Sequence, residues 1–445
     1  MANVVTQLAR YLMILLIAIY TYYNFRYFSY EDPEDRDSLC RNQVILMFLI
    51  LILADTVTWL RTEDMEKMLL CGAQALFLLA YLFLSRGLYR RISRLLLNNC
   101  CMLLATGFIM LNRISSERAL RQFILVVLGA AVSLIIPVII DHVWQLAKIP
   151  WVYGIGGLFL LLVVCVAGSR SFGAQLSISI GGFSFQPSEF VKLSFVFFVA
   201  TMFYRATDFP AILRTSVMAA AHVLVLVLSR DLGSALIFFV TYVLMLYLAT
   251  GCALWLIAGF GAGSSAAVLA YHLFSHVRIR VEAWQDPFRD IAGNGYQVAQ
   301  ALFAIGTGGW FGMGLYQGMP RKIPVVEKDF IFAAISEELG GLYALCIILI
   351  CLGCFLQFMQ LALKMDSAFY RQIAFGLGII YIVQVLLTIG GVIKFIPSTG
   401  VTLPFVSYGG SSVLSSFLMF GVIQGLYILK AADEEEMEDV LVEEL

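Results

Sequence analysis

The chain has 445 residues, of which 61% are hydrophobic and 13% are charged, and its mean hydropathy is +0.88. A soluble globular protein is about half apolar and about one quarter charged, so this composition excludes an ordinary soluble domain. It predicts an all-α, polytopic membrane protein and does not favour nucleic acid as a partner. The formal net charge of −1 is uninformative, because in such chains the placement of Lys and Arg matters more than their sum.

Thirteen segments are apolar enough to cross a bilayer, which takes about 20 residues per helix. A polar loop, 276–329, separates the tenth segment from the eleventh. The sequence therefore predicts extra transmembrane helices in 1–96, a transmembrane core in 97–430 that carries this loop, and an acidic, disordered tail in 431–445. The predicted spans lie at 5–24, 43–60, 66–85, 97–113, 120–141, 150–168, 189–204, 210–229, 232–250, 253–275, 330–357, 371–394 and 408–430.

The distribution of basic residues predicts the orientation of these spans. Arg86, Arg90, Arg91 and Arg94 form the densest basic cluster, which the positive-inside rule places in the cytoplasm. Counting spans from that cluster puts the loop 276–329 on the outer face and the acidic tail inside. A miscount by one helix would invert this orientation.

Charged residues inside apolar segments are costly and tend to face a cavity or a partner. Glu189 and Lys192 lie three residues apart at the start of one predicted helix, within reach of each other. A local ion pair explains them as well as a contact with substrate does. Asp231 follows Ser229-Arg230 between two apolar runs, where it either caps the next helix or faces a substrate.

The segment from Lys394 to Ser412 combines proline, glycine and hydroxyl residues, among them Ser407 and Ser411, and has no charge after Lys394. Nonhelical backbone at membrane depth is tolerated only where protein covers it or where it lines a cavity. We therefore expect a re-entrant or cavity-lining segment.

The loop 276–329 is the one long region too polar for lipid, and long loops in compact proteins are disproportionately functional. Asp329 stands at the end of this loop, where an apolar helix is predicted to begin. A carboxylate there could cap that helix, which is worth about 1 kcal/mol, or it could take part in chemistry. The residue pattern alone slightly favours the cap.

These pieces resemble, in the same order, the SEDS family (shape, elongation, division and sporulation) of bacterial cell-wall proteins, which includes FtsW, RodA and SpoVE. The resemblance covers about residues 97–430. Each motif is weak alone, and the collinear order is specific. The motifs are Phe185-Gln-Pro-Ser-Glu-Phe-Val-Lys-Leu193, Asp231-Leu-Gly233, Asp286-Pro-Phe288 with Gly295-Tyr-Gln297, Gly312-Met-Gly-Leu315, Asp329-Phe-Ile-Phe332 with Glu337-Glu-Leu-Gly340, and Thr402-Leu-Pro-Phe-Val-Ser-Tyr-Gly-Gly-Ser-Ser412.

The resemblance implies a peptidoglycan glycosyltransferase that polymerises lipid II on the outer face of the bacterial cytoplasmic membrane, beside a class B penicillin-binding transpeptidase. Asp329 matches the family's catalytic carboxylate, which would accept a proton from the attacking sugar hydroxyl. Cationic groups or a divalent metal, Mg or Mn, would stabilise the departing pyrophosphate, and no organic cofactor is expected. Candidate substrate-binding residues are Arg278, Arg280, Arg321, Lys322, Glu189, Lys192, Asp231, Lys394, Ser407 and Ser411.

The sequence departs from the family pattern close to these motifs. Ser229-Arg230 stand where the family usually has Gln-Pro, Glu327-Lys328 stand where it usually has His-Thr, and 289–294 are additional residues. Two other functions also suit many helices with charges at membrane depth, namely a lipid II flippase or transporter and a noncatalytic scaffold for the transpeptidase. Division, elongation and sporulation are not distinguished.

Overall fold

The computed structural model describes residues 2–140, 149–171, 174–180 and 183–443, which form a helical membrane bundle with one small sheet. The helices are α1 (Ala2–Arg26), α2 (Pro33–Thr62), α3 (Met65–Leu88), α4 (Arg94–Ile114), α5 (Ser116–Ile140), α6 (Pro150–Ala167), α7 (Ser188–Arg205), α8 (Phe209–Leu228), α9 (Leu232–Thr250), α10 (Ala253–Leu273), α11 (Ser275–Gln285), α12 (Tyr296–Gly308), α13 (Ile331–Glu338), α14 (Gly341–Lys364), α15 (Ala368–Val392) and α16 (Gly410–Glu443).

Eleven helices in the described residues are long and apolar enough to span a bilayer, namely α1–α5, α8–α10 and α14–α16. The chain is therefore polytopic, but this number does not confirm the predicted count of thirteen. Of the other two predicted spans, α6 has an apolar stretch of only 17 residues, Pro150–Val166. The other, α7, carries Glu189, Lys192 and Arg205 within its 18 residues.

The small sheet connects α6 to α7 and was not anticipated in the all-α prediction. Its antiparallel strands are β1 (Ser169–Ser171), β2 (Ala174–Ile180) and β3 (Phe183–Phe185), with β2 in the centre. Alternating Ser and Ile at 177–180 is a period-two pattern, which is the signal of a strand. That signal is short, and the apolar helices on either side of it dominate the local hydropathy.

The predicted loop 276–329 and the predicted disordered tail both contain helix. In the loop, α11 and α12 occupy a large part of the sequence. In the tail, α16 continues through Glu443 without a break, so the prediction of disorder is wrong for 431–443. Lys430 and Glu434 lie 3.9 Å apart on successive turns of α16, a spacing that stabilises a helix. Glu435 also forms an ion pair with Arg91.

Polar side chains cap the starts of α2 and α3. Asp32 precedes Pro33 and accepts a hydrogen bond from the Glu34 amide at 2.9 Å. Asp64 caps α3 through the Glu66 amide at 3.0 Å. Such caps satisfy backbone donors that the helix itself leaves unpaired.

The first three helices are built into the bundle through α4 and α14. Nearly every residue of α4 is buried, and α1 packs along α14. Asn99 of α4 donates to Asn24 Oδ1 at 2.7 Å, and Tyr20 donates to Asn99 Oδ1 at 3.1 Å. The Asn24 amide fills the space beside Gly353, where an added Cβ would lie 2.1 Å from Asn24 Nδ2. Close backbone approach and interhelical amide bonds are common means of helix association in lipid.

Candidate active site

A cavity of about 670 Å³ lies at the end of the bundle that carries Asp329. This volume falls within the range of about 300–1,000 Å³ that is usual for small-molecule sites. Residues from α5, the sheet, α7, the α8–α9 turn, α11, α12, the turn before α13 and the 398–412 segment line it. Basic and acidic side chains converge there, and the charged lining residues are Arg121, Glu189, Arg230, Asp231, Arg280, Lys328 and Asp329.

Asp329 lies in the turn that precedes α13, and its geometry does not fit the helix-cap interpretation. The N-cap residue of α13 is Phe330, and no side chain caps this helix. Burial raises the pKa of Asp329 to about 6, and the charge of Glu327 adds to this rise. The backbone amide of Asp329 and the charges of Arg280 and Lys328 lower the pKa and oppose part of the effect. A carboxylate with a pKa near the working pH is suited to general base catalysis.

Three elements hold the turn that carries Asp329. Glu327, which is buried, forms an ion pair with Arg118 of α5, and its carbonyl accepts a hydrogen bond from the Tyr408 amide at 2.7 Å. Gln297 of α12 donates to the Pro324 carbonyl at 3.0 Å. The turn is therefore fixed to α5, α12 and the 398–412 segment, and this positions Asp329 at the cavity wall.

The other end of α13 is held by the turn that follows α12. Met313 donates its amide to the Glu337 carbonyl at 2.8 Å, and Gly314 donates to the Glu338 carbonyl at 2.9 Å. The Glu338 carboxylate accepts from Arg113 Nε at 2.9 Å and from the Gly318 amide at 3.2 Å. Glu338 therefore fixes this turn against α4 and does not line the cavity.

Helix α1 contacts the same turn. Arg10 donates to the Gly312 carbonyl at 2.7 Å, and the rings of Tyr11 and Phe311 lie 5.6 Å apart. Helix α1, which precedes the predicted core, thus supports the turn that holds α13.

Replacing Gly312 with Ala is expected to destabilise the protein, because Gly312 has a φ of 73° and an added Cβ would lie 2.5 Å from the Glu338 carbonyl oxygen. Gly306, inside α12, provides a matched control, since nothing lies within 4 Å of its added Cβ and Ala favours a helix interior by about 0.5–1 kcal/mol. Thermal unfolding in detergent should show a lower Tm for Gly312→Ala and an unchanged or higher Tm for Gly306→Ala. Equal Tm values for the two variants would contradict this account of the turn.

Four of the predicted substrate-binding residues line the cavity. Arg280 of α11 donates to the Ser398 carbonyl at 3.3 Å. Glu189 accepts from Lys192 at 2.6 Å. Asp231 caps α9 by accepting from the Ser234 amide at 3.1 Å, and Ser411 accepts from the Gln186 amide at 2.9 Å. Glu189 therefore both forms the predicted ion pair and lines the cavity, and Asp231 both caps α9 and lines the cavity.

The other six predicted substrate-binding residues do not line the cavity. Lys192 is buried between Glu189 and Gln384, whose side-chain oxygen it contacts at 2.8 Å. The Lys394 carbonyl accepts from Trp284 at 3.1 Å, while the Ser407 hydroxyl is buried and accepts from the Leu403 amide at 2.9 Å. The remaining three are exposed on the protein surface, namely Arg278, Arg321 and Lys322.

The cavity is also lined by three basic residues that the sequence did not indicate as substrate contacts, namely Arg121, Arg230 and Lys328. A signal was present for two of them, because Arg230 and Lys328 are departures from the family pattern directly beside Asp231 and Asp329. Arg121 lies in the first turns of α5, far in sequence from every motif, and only the tertiary structure brings it to the cavity.

The 398–412 segment lines the cavity, as predicted, and residues 395–409 are nonhelical. Gln384 of α15 donates to the Thr402 carbonyl at 2.9 Å, and Thr388 donates to the Val401 carbonyl at 3.0 Å. Side chains of α15 thus satisfy backbone groups that an irregular segment leaves unpaired.

The described residues do not form a ready-made metal site, since they contain no group of three or more His, Cys, Asp or Glu side chains placed to hold an ion. In the cavity, Glu189 is already bonded to Lys192 and to Ser415, and Asp231 is bonded to the start of α9. Mg²⁺ often binds through one or two carboxylates together with substrate phosphates. A requirement for Mg or Mn therefore stays a prediction.

Sequence comparison places this arrangement among known proteins. Residues 94–430 match the FtsW/RodA/SpoVE family, described as a cell cycle protein. The peptidoglycan glycosyltransferase RodA of Mycobacterium tuberculosis is 34% identical over 335 residues, which cover 70% of this chain and 71% of that protein. The probable peptidoglycan glycosyltransferase FtsW of Aliivibrio salmonicida is 35% identical over 270 residues, covering 58% of this chain and 67% of that protein.

Solved structures share the fold. The crystal structure of Thermus thermophilus rod shape determining protein RodA aligns with a TM-score of 0.55 and 21% identity, covering 76% of this chain and 96% of that one. A chain from a peptidoglycan synthase complex aligns with a TM-score of 0.65 and 22% identity, covering 76% of this chain and 98% of that one. The chain described here belongs to the FtsW/RodA/SpoVE, or SEDS, family of peptidoglycan glycosyltransferases.

Proposed function

We propose that this protein polymerises lipid II into the glycan strands of peptidoglycan, with Asp329 as the general base. The observation that carries the proposal is the position of Asp329 in a charged cavity of about 670 Å³, where burial raises its pKa to about 6. The relatives that share the family are named as peptidoglycan glycosyltransferases. Lipid II suits this chemistry, because it carries both the donor pyrophosphate and the acceptor sugar.

The proposed reaction is an inverting displacement at the anomeric carbon of the donor sugar. The 4-hydroxyl of the acceptor sugar attacks that carbon, its proton passes to the Asp329 carboxylate, and the bond to the lipid pyrophosphate breaks. Arg280 and Lys328 line the same cavity as Asp329, so a donor bound there would have these cations beside its pyrophosphate. Fixed cations at that position stabilise a departing pyrophosphate without reorganisation during the reaction.

We also propose that all thirteen predicted spans cross the membrane, with the cavity on the outer face of the bacterial cytoplasmic membrane. The contacts made at the two ends of α4 support this orientation. Arg94 starts α4 at the basic cluster. Arg113, near the other end of α4, contacts Glu338, which ends the short helix α13 that follows Asp329. A 21-residue helix is about 30 Å long, so the basic cluster and the cavity are far apart along the bundle, which supports their placement on opposite faces of the membrane. Three charged residues do not exclude α7 from spanning, because Glu189 and Lys192 pair inside the bundle.

The proposed protein partner is a class B penicillin-binding transpeptidase. The similar chain from a peptidoglycan synthase complex was described in connection with coordinated polymerisation and crosslinking. A polymerase that releases strands at the outer face needs a crosslinking enzyme beside it, which supports a partner of this class.

The test is a polymerisation assay with the purified protein in liposomes and fluorescently labelled lipid II, read as strand length on a gel. A ladder of strands is the expected result. Movement of labelled lipid between leaflets without polymer would instead identify a flippase. A protein that makes neither product but copurifies with the transpeptidase would be a scaffold, and either outcome would overturn the proposal.

The rate of polymerisation is expected to fall as the pH drops through about 6, because protonated Asp329 cannot accept a proton. The sign follows from the raised pKa of this carboxyl group, which is about 6, so the ionised base is lost well above the usual range for Asp. The measurement is kcat/KM between pH 5 and 8, with Tm recorded at each pH to show that the fold persists. A midpoint near pH 4 would contradict the assignment.

A further inference from the structure

Arg230 ends α8 in a backbone conformation that is unusual for its residue type. Its φ is 64°, its amide donates to the Val227 carbonyl at 3.0 Å, and the Asp231 amide donates to the Leu226 carbonyl at 2.9 Å. This hydrogen-bond pattern commonly ends helices with glycine at the left-handed position. An L-residue incurs a steric cost there that glycine, which has no Cβ, avoids.

Proline, which the family usually has at this position, could not adopt the same conformation, because its ring fixes φ near −65°. The sequence Ser229-Arg230 is therefore a local rebuilding of the α8–α9 turn and not a conservative exchange. Residues held in a rarely populated conformation persist where the surrounding structure enforces them, and they cluster at functional sites.

The side chain of Arg230 lines the same cavity as Asp329, and so does Arg280 of α11. Burial lowers the pKa of His276, and the charges of Arg230 and Arg280 lower it further. The imidazole therefore lies close to both arginines. The Nε2 atom of His276 is buried and has no hydrogen-bond partner among the described residues. Two separate elements, the α8–α9 turn and α11, thus bring two guanidinium groups to the cavity wall, and His276 lies near them but outside the cavity lining.

We propose that Arg230 and Arg280 form an anion subsite that binds the pyrophosphate of the lipid-linked donor. This inference rests on the proposed function and adds a residue specific to this chain. Guanidinium groups bind phosphate oxygens through paired, parallel hydrogen bonds. A pyrophosphate presents enough oxygens for both arginines, whereas a lipid monophosphate presents fewer.

The position of Arg280 relative to Asp231 and Asp329 gives the subsite its place in the reaction. Asp231 and Asp329 both act electrostatically on Arg280, so the anion subsite adjoins the proposed general base. A pyrophosphate bound there lies on the leaving-group side of the donor anomeric carbon. An inverting displacement then requires the acceptor hydroxyl on the other side of that carbon and within reach of Asp329, and Asp329 lines the same cavity as the two arginines.

Arg230→Gly separates this role from a structural one, because glycine relieves the left-handed backbone while it removes the guanidinium. We expect its Tm to be equal to or higher than that of the wild type, whereas the apparent Kd for undecaprenyl pyrophosphate rises about tenfold to a hundredfold, the effect of losing a hydrogen bond to a charged group. Binding is measured by ligand-induced thermal stabilisation of the full-length protein in detergent. Arg230→Lys should recover part of the affinity, and Arg289→Ala, an exposed arginine outside the cavity lining, should match the wild type.

The binding assay is independent of polymerisation, so failure of the subsite and failure of the proposed function give different results. Undecaprenyl phosphate should lose much less affinity than the pyrophosphate in Arg230→Gly. Unchanged pyrophosphate binding in Arg230→Gly overturns the proposal. A lower Tm in Arg230→Gly, with affinity not recovered in Arg230→Lys, assigns Arg230 a structural role and overturns it as well.

Discussion

Asp329→Asn is expected to reduce the polymerisation rate by about 10²–10⁴-fold, the contribution typical of a positioned general base. The asparagine amide has nearly the same shape as the carboxylate but cannot accept the proton of the attacking hydroxyl. Burial raises the pKa of Asp329 to about 6, so at neutral pH the ionised carboxylate is less stable in the folded protein than in the unfolded chain. The Tm of Asp329→Asn should therefore equal or exceed that of the wild type.

The matched control for this substitution is Glu282→Gln. Glu282 is exposed on α11 and does not line the cavity, although it lies two residues from Arg280. It should polymerise lipid II at the wild-type rate. A variant Asp329→Asn that retains more than about one tenth of the wild-type kcat, measured by strand synthesis under saturating lipid II, would remove Asp329 from the role of general base.

The second large effect is expected from Lys192→Met, which should lower the free energy of unfolding by about 3–5 kcal/mol. Lys192 Nζ lies 2.6 Å from Glu189 Oε2 and 2.8 Å from Gln384 Oε1, and both charged side chains are almost fully buried. The methionine leaves the Glu189 carboxylate with the Ser415 hydroxyl at 2.9 Å but without a countercharge. Denaturation in mixed detergent micelles provides the measurement.

The double variant Glu189→Gln/Lys192→Met distinguishes loss of the pair from loss of one partner. Removing both charges leaves no buried ion without a partner, so most of the stability lost in Lys192→Met should return. If the double variant is as unstable as Lys192→Met, packing and not the charge explains the loss. Because Glu189 lines the cavity and Lys192 does not, polymerisation by the double variant also tests whether Glu189 contacts substrate.

Hydropathy predicted several helices to within a residue, because the bilayer requires long apolar segments whatever their tertiary partners. The span predicted at 232–250 is α9, Leu232–Thr250, and the span predicted at 210–229 is α8, Phe209–Leu228. The sheet at 169–185 was missed, since its strands are short and lie between two apolar helices. The helix in 431–443 was missed because acidic composition outweighed the spacing of Lys430 and Glu434.

The cavity was predictable only in part, because the facing direction of a side chain depends on tertiary structure. Arg278 and Arg280 had equal standing in the sequence, yet only Arg280 lines the cavity. Both lie on α11, and two residues along a helix correspond to a rotation of about 200°, which places them on opposite faces. Charge and loop position identify the candidate substrate-binding residues, and the face of the helix on which each one lies decides which of them line the cavity.

The contact between α1 and the turn after α12 has a consequence for synthesis of the protein. Arg10 and Gly312 are separated by 302 residues, so at a translation rate of about 10 residues per second the nascent helix waits roughly half a minute for this partner. During that interval α2, α3 and α4 have already left the ribosome. The Asn99–Asn24 hydrogen bond can then form within the first four helices, which shields one polar amide from lipid until α14 emerges with Gly353.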